Sequence, residues 1–103
     1  MSDVSINDKV VEILKEAIQE LNEQLDEKIS YDEELRLIGK DAALDSMGIV
    51  VFVTIIEELI DDKFNCLIEI VSDKAFSREY SPFYSIGTLK EFVVELINEE
   101  RAE

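Results

Sequence analysis

Histidine is absent from this chain of 103 residues, which also has only one cysteine and one proline. Without histidine the sequence lacks the commonest general base near neutral pH and a frequent zinc ligand. The single cysteine, Cys66, excludes an intrachain disulfide, and one thiol does not make a metal site. Because Leu67 and Ile68 follow it, we expect Cys66 to be a thiol packed in the core.

Basic residues are also scarce, since 10 Lys and Arg stand against 25 Asp and Glu, for a formal net charge of −15. Nucleic acid and anionic membranes require the opposite charge, so this balance argues against both as partners. It favours protein partners that present Lys and Arg.

Catalytic motifs are lacking as well: there is no Ser-His-acid set, no Gly-rich phosphate loop and no calcium-loop spacing. The acidic pairs Glu57-Glu58 and Asp61-Asp62 are interpreted as solvated, so we expect no metal site. The sequence therefore predicts a protein that is not a self-contained enzyme.

No apolar run approaches the ~20 residues that a membrane-spanning helix needs. The acidic start Met1-Ser2-Asp3 is unlike a signal peptide, and a cytoplasmic location is the expectation. The length fits one domain over residues 1–103. We expect residues 1–5 and 99–103 to be frayed.

The most apolar stretch runs from Leu44 to Phe64 and opens with a polar corner, Leu-Asp-Ser-Met-Gly. Asp45 or Ser46 can cap a helix there by accepting from free N–H groups of its first turn. The β-branched run from Ile49 to Ile56 would also suit a buried strand. The long stretch without Gly or Pro after Gly48 favours a helix. Apolar positions at steps of three and four predict its inward face: Met47, Val50, Val51, Thr54, Ile55, Leu59 and Ile60.

Two further amphipathic helices are predicted. Asn7 or Asp8 can cap the first, whose apolar pattern ends at Lys28. Thr88 to Glu91 has the spacing of a capping box and predicts the start of the last helix. The first apolar face is Val10, Ile13, Leu14, Ala17, Ile18, Leu21 and Leu25, and the last is Leu89, Phe92, Val93, Leu96 and Ile97. Part of the first pattern has coiled-coil spacing over about two heptads, so a dimer through this helix is an alternative to a bundle.

The connections complete the predicted architecture. Residues 29–45 exceed the ~12–15 residues usual for a connection, and their apolar side chains predict a loop held across the core, with a turn at Gly39. Residues 66–71 alternate like an extended segment, residues 72–79 suggest a short helix, and Ser81-Pro82 predicts a turn. The predicted fold is all-α: a bundle of three main helices and one short helix, with a long first loop.

The segment Ala43-Leu44-Asp45-Ser46-Met47-Gly48, followed by an apolar helix with Glu57-Glu58 near its end, resembles the acyl carrier protein family. The resemblance covers most of the chain, including its acidity, its long first loop and the stretch from Ser81 to Leu89. Asp-Ser-Met alone is weak, since any helix cap can look like it. The combination of motif, layout, length and charge carries the resemblance.

In that family the serine of the motif receives a 4′-phosphopantetheine arm, which implies attachment at Ser46. Coenzyme A and magnesium are implied as reagents of the phosphopantetheinyl transferase that loads it. Further implied partners are acyl-transferring or acyl-activating enzymes with basic patches, and the protein is expected to be a monomer. The implied partner-recognition residues are Asp45, Met47, Val51, Glu57 and Glu58.

Some positions differ from the family pattern. Gly48 and Val51 stand where the usual fatty-acid carriers have polar or acidic residues, and the second helix is about one turn longer. These differences imply a specialised, stand-alone carrier. Asp-Ser-Met-Gly is also similar to D-alanyl carrier proteins, so an aminoacyl carrier is an alternative. A further alternative is an acidic helical module that acts through protein contact alone, with Ser46 as a mere helix cap.

Overall fold

The computed structural model is all-helical, as the sequence predicts. It describes residues 6–25, 28–39, 42–71 and 81–101. Its helices are α1 (Ile6–Asn22), α2 (Ser46–Phe64) and α3 (Ile86–Arg101). Three main helices are therefore confirmed, whereas the predicted short helix over residues 72–79 lies outside the described residues. None of the helices is long and apolar enough to cross a membrane, as far as the described residues go.

Helix α1 buries the apolar face that its periodicity predicts, from Val10 to Leu21. It begins at Ile6, so Asn7 and Asp8 lie in its first turn and the prediction that one of them caps it was wrong. It also ends at Asn22, before the predicted Lys28. The Asn22 side chain pairs with the backbone of Ile29, accepting from its N–H at 2.9 Å and donating to its C=O at 2.8 Å. This pairing holds the chain where it leaves the helix.

Helix α2 has the predicted length, but its inward face differs from the prediction. Met47 is 70% exposed, Val50 is 55% exposed, and Thr54 is exposed too. The buried residues are Phe52, Val53, Ile56 and Ile60. Because the start of this helix is apolar nearly all round, its periodicity does not select one face. The face is set instead by the packing of α2 against α1.

The far end of α2 lies against α1 and near the end of α3. Lys9 of α1 places its Nζ 5.9 Å from the centroid of the Phe64 ring, and Lys63 pairs with Glu16 at 3.5 Å. Phe64 and Glu100 line the same cleft. The start of α1 and the end of α3 are thus near Phe64, a helix length of about 27 Å from Ser46.

The first loop is held on the core, as predicted for the part that the structure describes. Leu37 is buried, and Gly39 has a φ of 98°, which permits the expected turn. The loop pairs with the chain ahead of α3. The N–H of Leu37 donates to the C=O of Tyr84 at 3.0 Å, and the N–H of Ile86 donates to the C=O of Leu35 at 3.1 Å.

Side chains of the loop also contact α3. Lys90 pairs with Glu33 at 2.9 Å, and the Tyr31 hydroxyl donates to the same carboxylate at 3.0 Å. These two bonds lower the pKa of Glu33. Partial burial, followed by the bond to Glu33, raises the pKa of Tyr31 to about 12. The neutral phenol and the ionised carboxylate are therefore the forms that this contact favours.

Helix α3 starts one turn earlier than predicted. Ser85 precedes it, and its Oγ accepts from the Thr88 N–H at 3.3 Å while the Thr88 Oγ1 accepts from the Ser85 N–H at 3.0 Å. Ser85 and Thr88 form the reciprocal cap, so the predicted box from Thr88 to Glu91 was wrong. The Ser81-Pro82 turn is confirmed by a bond from the Tyr84 N–H to the Ser81 C=O at 3.2 Å. The helix continues to Arg101, into the stretch expected to be frayed.

The segment of residues 65–71 follows α2 without forming a strand. Asn65 ends the helix in the left-handed conformation with a φ of 53°. Ile68 is partly buried, Glu69 is exposed and Ile70 is buried, so the alternation predicted from Ile68-Glu69-Ile70 is confirmed. Cys66 is buried as predicted, and Leu67 is exposed. The Glu57 carboxylate accepts from the Ile70 N–H at 2.8 Å and ties this segment to α2.

Candidate functional site

The start of α2 assigns different roles to Asp45 and Ser46. Asp45 is the cap, because its Oδ1 accepts from the Gly48 N–H at 2.7 Å and its C=O accepts from the Ile49 N–H at 3.0 Å. Ser46 is the first residue of the helix and is exposed. Its hydroxyl has no hydrogen-bond partner within the described ranges. The sequence did not decide whether Asp45 or Ser46 caps the helix. The structure shows that Asp45 is the cap and that Ser46 is not needed for capping.

Gly48 makes room for this cap. A Cβ at this position would lie 3.2 Å from the Asp45 Oδ1 and 3.3 Å from the Leu44 Cβ. Sequence reasoning used Gly48 only in comparisons with family patterns and missed this role. The signal that could have found it is the spacing of a capping Asp and a Gly three residues later, where the capped N–H lies.

The chain ahead of the site is anchored. Leu44 is buried, and the Ala43 N–H donates to the Arg36 C=O at 2.9 Å. The Arg36 guanidinium carbon lies 4.1 Å from the centroid of the Tyr84 ring, within the range of a cation–π contact. These contacts connect the site to the first loop and to the start of α3. Sequence reasoning did not single out Arg36 or Tyr84 for this pairing.

The electrostatics of the helix start favour an anion. The backbone N–H groups of Ser46 and Met47 belong to the first turn and have no partner in the part of the chain that the structure describes. Such groups point out of the helix at the positive end of its dipole. A phosphate group attached nearby would find donors there. Among the described residues there is no cluster of side chains that could hold a metal ion.

An exposed stripe of α2 continues from the site. We call it the outer face and define it by Met47, Val50, Thr54 and Glu58, which are exposed at steps of three and four. Sequence reasoning missed Val50 and Thr54 because it assigned them to the core.

The five predicted recognition residues are not equivalent. Asp45, Met47 and Glu58 are exposed on α2 or at its cap. Val51 is partly buried and packs on the core. Glu57 is also partly buried and is bonded to Ile70. The structure therefore brings the first three to the surface beside or along the outer face, and it gives Glu57 a contact within the chain.

Comparisons with known proteins return nothing: no protein-family model, no curated protein and no solved structure matches this chain. The interpretation of the site therefore depends on its own residues and geometry.

Proposed function

We propose that this protein is a specialised, stand-alone acyl carrier protein in which Ser46 bears a 4′-phosphopantetheine arm. The observation that supports this most is the exposed Ser46 hydroxyl, which is left free because Asp45 caps the helix. Ser85, at the start of α3, provides the contrast. It is 7% exposed, and its Oγ accepts from the Thr88 N–H. Of these two serines at helix starts, only Ser46 is available for modification.

The residues around Ser46 fit the arm. The N–H groups of Ser46 and Met47 can donate to the phosphodiester, and the dipole of α2 favours its charge. The arm supplies a terminal thiol that holds the acyl group as a thioester. This chemistry needs no catalytic residue in the chain, in keeping with a sequence that lacks histidine.

Loading of the arm requires a partner enzyme. The Ser46 Oγ forms a bond to the phosphorus that bears the pantetheine moiety while the pyrophosphate bond of coenzyme A breaks, and adenosine 3′,5′-bisphosphate leaves. A base of the phosphopantetheinyl transferase takes the serine proton, since no histidine is present to do so. In this proposal the protein is a substrate of the transferase and a carrier of acyl groups, and it is not itself an enzyme.

The outer face is the proposed contact surface for the transferase and for acyl-transferring or acyl-activating enzymes. Met47 and Val50 offer exposed apolar side chains next to Ser46, and Glu58 offers a carboxylate further along the helix. Partners with basic patches complement this surface and the net charge of −15. Such binding weakens as salt is added, because exposed charges are screened.

The intact mass of the protein tests this proposal. Purified unmodified protein is incubated with coenzyme A, magnesium and a broad-specificity phosphopantetheinyl transferase. We expect the wild type to gain one phosphopantetheine and Ser46→Ala to gain none. Ser30→Ala is the matched control, since Ser30 is an exposed serine in the first loop, and it should load like the wild type.

Two other results would change the assignment. If the folded, unmodified wild type gains no mass, the protein is not a carrier. The alternative that it is an acidic helical module acting through protein contact then takes the place of the carrier proposal. If the loaded protein accepts D-alanine or another amino acid from an activating enzyme but no acyl group, it is an aminoacyl carrier.

A further inference from the structure

Leu67 is the most exposed of the large apolar side chains in the described part of the chain, at 76%. Its segment is anchored on both sides, because Cys66 and Ile70 are buried. The Glu57 carboxylate also holds the Ile70 N–H at 2.8 Å. Leu67 is therefore presented to solvent by a fixed stretch of backbone. A single exposed Leu is common at protein surfaces, so the surroundings of Leu67 decide whether it belongs to a contact site.

Two clefts share Leu67 in their lining. The first, of about 450 Å³, is lined by Leu67, Ile68, Glu69, Leu96, Glu99 and Glu100. The second, of about 410 Å³, is lined by Asp61, Phe64, Asn65, Cys66, Leu67 and Glu100. We call these two clefts, together with Leu67, the distal groove. Val71, which is 50% exposed, adds apolar surface on the same segment.

The charge of the distal groove limits what it can bind. Its lining residues include Asp61, Glu69 and Glu100, all exposed, and among the lining residues that the structure describes none is basic. A second copy of this chain would bring like charges together, and an anionic lipid surface would do the same. A complementary occupant has basic side chains for the clefts and an apolar side chain for Leu67.

We propose that the distal groove binds a segment of a partner protein in which Lys or Arg side chains accompany apolar ones. The apolar side chains pack on Leu67, and the basic ones enter the two clefts with their aliphatic stems against Phe64 and Leu96. The groove is one helix length, about 27 Å, from Ser46. A partner bound there leaves the start of α2 open, so this surface is separate from the proposed loading and acyl-transfer site.

Two synthetic peptides test the proposal on the full-length protein. One is a helix with Leu on one face and Lys on the other, and the second has the same Lys residues with Ser in place of Leu. Backbone amide shifts are followed by NMR during titration at about 0.15 M salt, where long-range attraction is screened. We expect the shifts to centre on residues 65–71 and the end of α3, and the Ser peptide to bind at least about tenfold more weakly.

Substitutions make the test specific. Leu67→Gln and Glu100→Lys should each weaken binding of the Leu peptide several-fold. Val50→Gln and Glu91→Lys, which change an exposed apolar and an exposed acidic residue elsewhere, should leave it unchanged. Shifts confined to the outer face, equal binding of both peptides, or insensitivity to Leu67→Gln would overturn the proposal. Ser46→Ala should bind the peptide like the wild type, so the result does not depend on the proposed carrier function.

Discussion

Glu57 and Glu58 are neighbours in the sequence with different surroundings. The Glu57 carboxylate is partly buried and accepts from the Ile70 N–H at 2.8 Å, whereas Glu58 is exposed on the outer face. A carboxylate that satisfies a backbone donor supports the fold, while an exposed one is available to a partner. The sequence predicts the same role for these two acids, whereas the structure gives them different surroundings.

Charge reversal separates the two roles. Glu57→Lys removes the acceptor for the N–H of the buried residue Ile70 and should lower the free energy of unfolding by about 1–3 kcal/mol. Glu58→Lys should change it by less than about 0.5 kcal/mol but slow loading by the transferase. Glu57→Gln, which keeps an acceptor oxygen, should be intermediate in stability. Denaturant unfolding measures the first effect, and equal losses for both reversals would contradict the assignment.

Residue patterns predicted the start of α2 better than they predicted the contacts that α2 makes. The sequence placed an Asp and a Ser at the start of a helix, but two equally good caps could be told apart only by geometry. The contact of Glu57 with Ile70 could not be predicted, because it joins a helix to an irregular segment 13 residues further on. No periodicity describes such a pairing.

At the level of elements, the predictions succeeded where polar residues mark the outward side. Helices α1 and α3 carry charged residues opposite their apolar faces, and both predicted faces are buried. Helix α2 is apolar nearly all round at its start, so its inward face was predicted wrongly. The start of α3 was also misplaced, because Ser85-x-x-Thr88 and Thr88-x-x-Glu91 both have capping-box spacing.

The contact of the first loop with α3 leads to a prediction about Gly87. Its N–H donates to the Glu33 C=O at 2.8 Å, and a Cβ there would lie 2.9 Å from the same oxygen. Gly→Ala within a helix usually stabilises by up to about 1 kcal/mol. Here we expect Gly87→Ala to destabilise by about 1–3 kcal/mol, because the loop backbone must move.

Lys90→Ala is the control for Gly87→Ala. It removes the ion pair with Glu33, whose carboxylate is exposed to solvent, and should destabilise the protein less than Gly87→Ala does. Both variants are compared by denaturant unfolding. A stabilised Gly87→Ala protein would show that the loop is not held closely against α3.

For the whole molecule, the net charge of −15 is the dominant electrostatic feature. Few basic residues are available to offset the acids, so self-repulsion opposes the folded state. We expect added NaCl to raise the melting temperature, because screening relieves this repulsion more than it weakens exposed pairs such as Lys63–Glu16. Circular dichroism at increasing salt measures the effect, and a flat or falling response would count against it.

A variant with fewer acids provides the matched comparison for the salt series. Glu20→Gln combined with Glu23→Gln removes two exposed carboxylates of the α1 region without touching the core. At low salt its melting temperature should be higher than that of the wild type, and added NaCl should raise it by less.

The start of α1 and the end of α3 lie near Phe64, which has a practical consequence for handling the protein. Lys9, in the first turn of α1, lies over the Phe64 ring, and Glu100, next to the last residue of α3, lines a cleft with Phe64. The first turn of α1 and the last turn of α3 therefore lie far from Ser46, and we expect a surface linker attached at Lys9 or Glu100 to leave Ser46 exposed. Immobilised protein would keep its serine accessible to soluble enzymes while its distal groove faces the support.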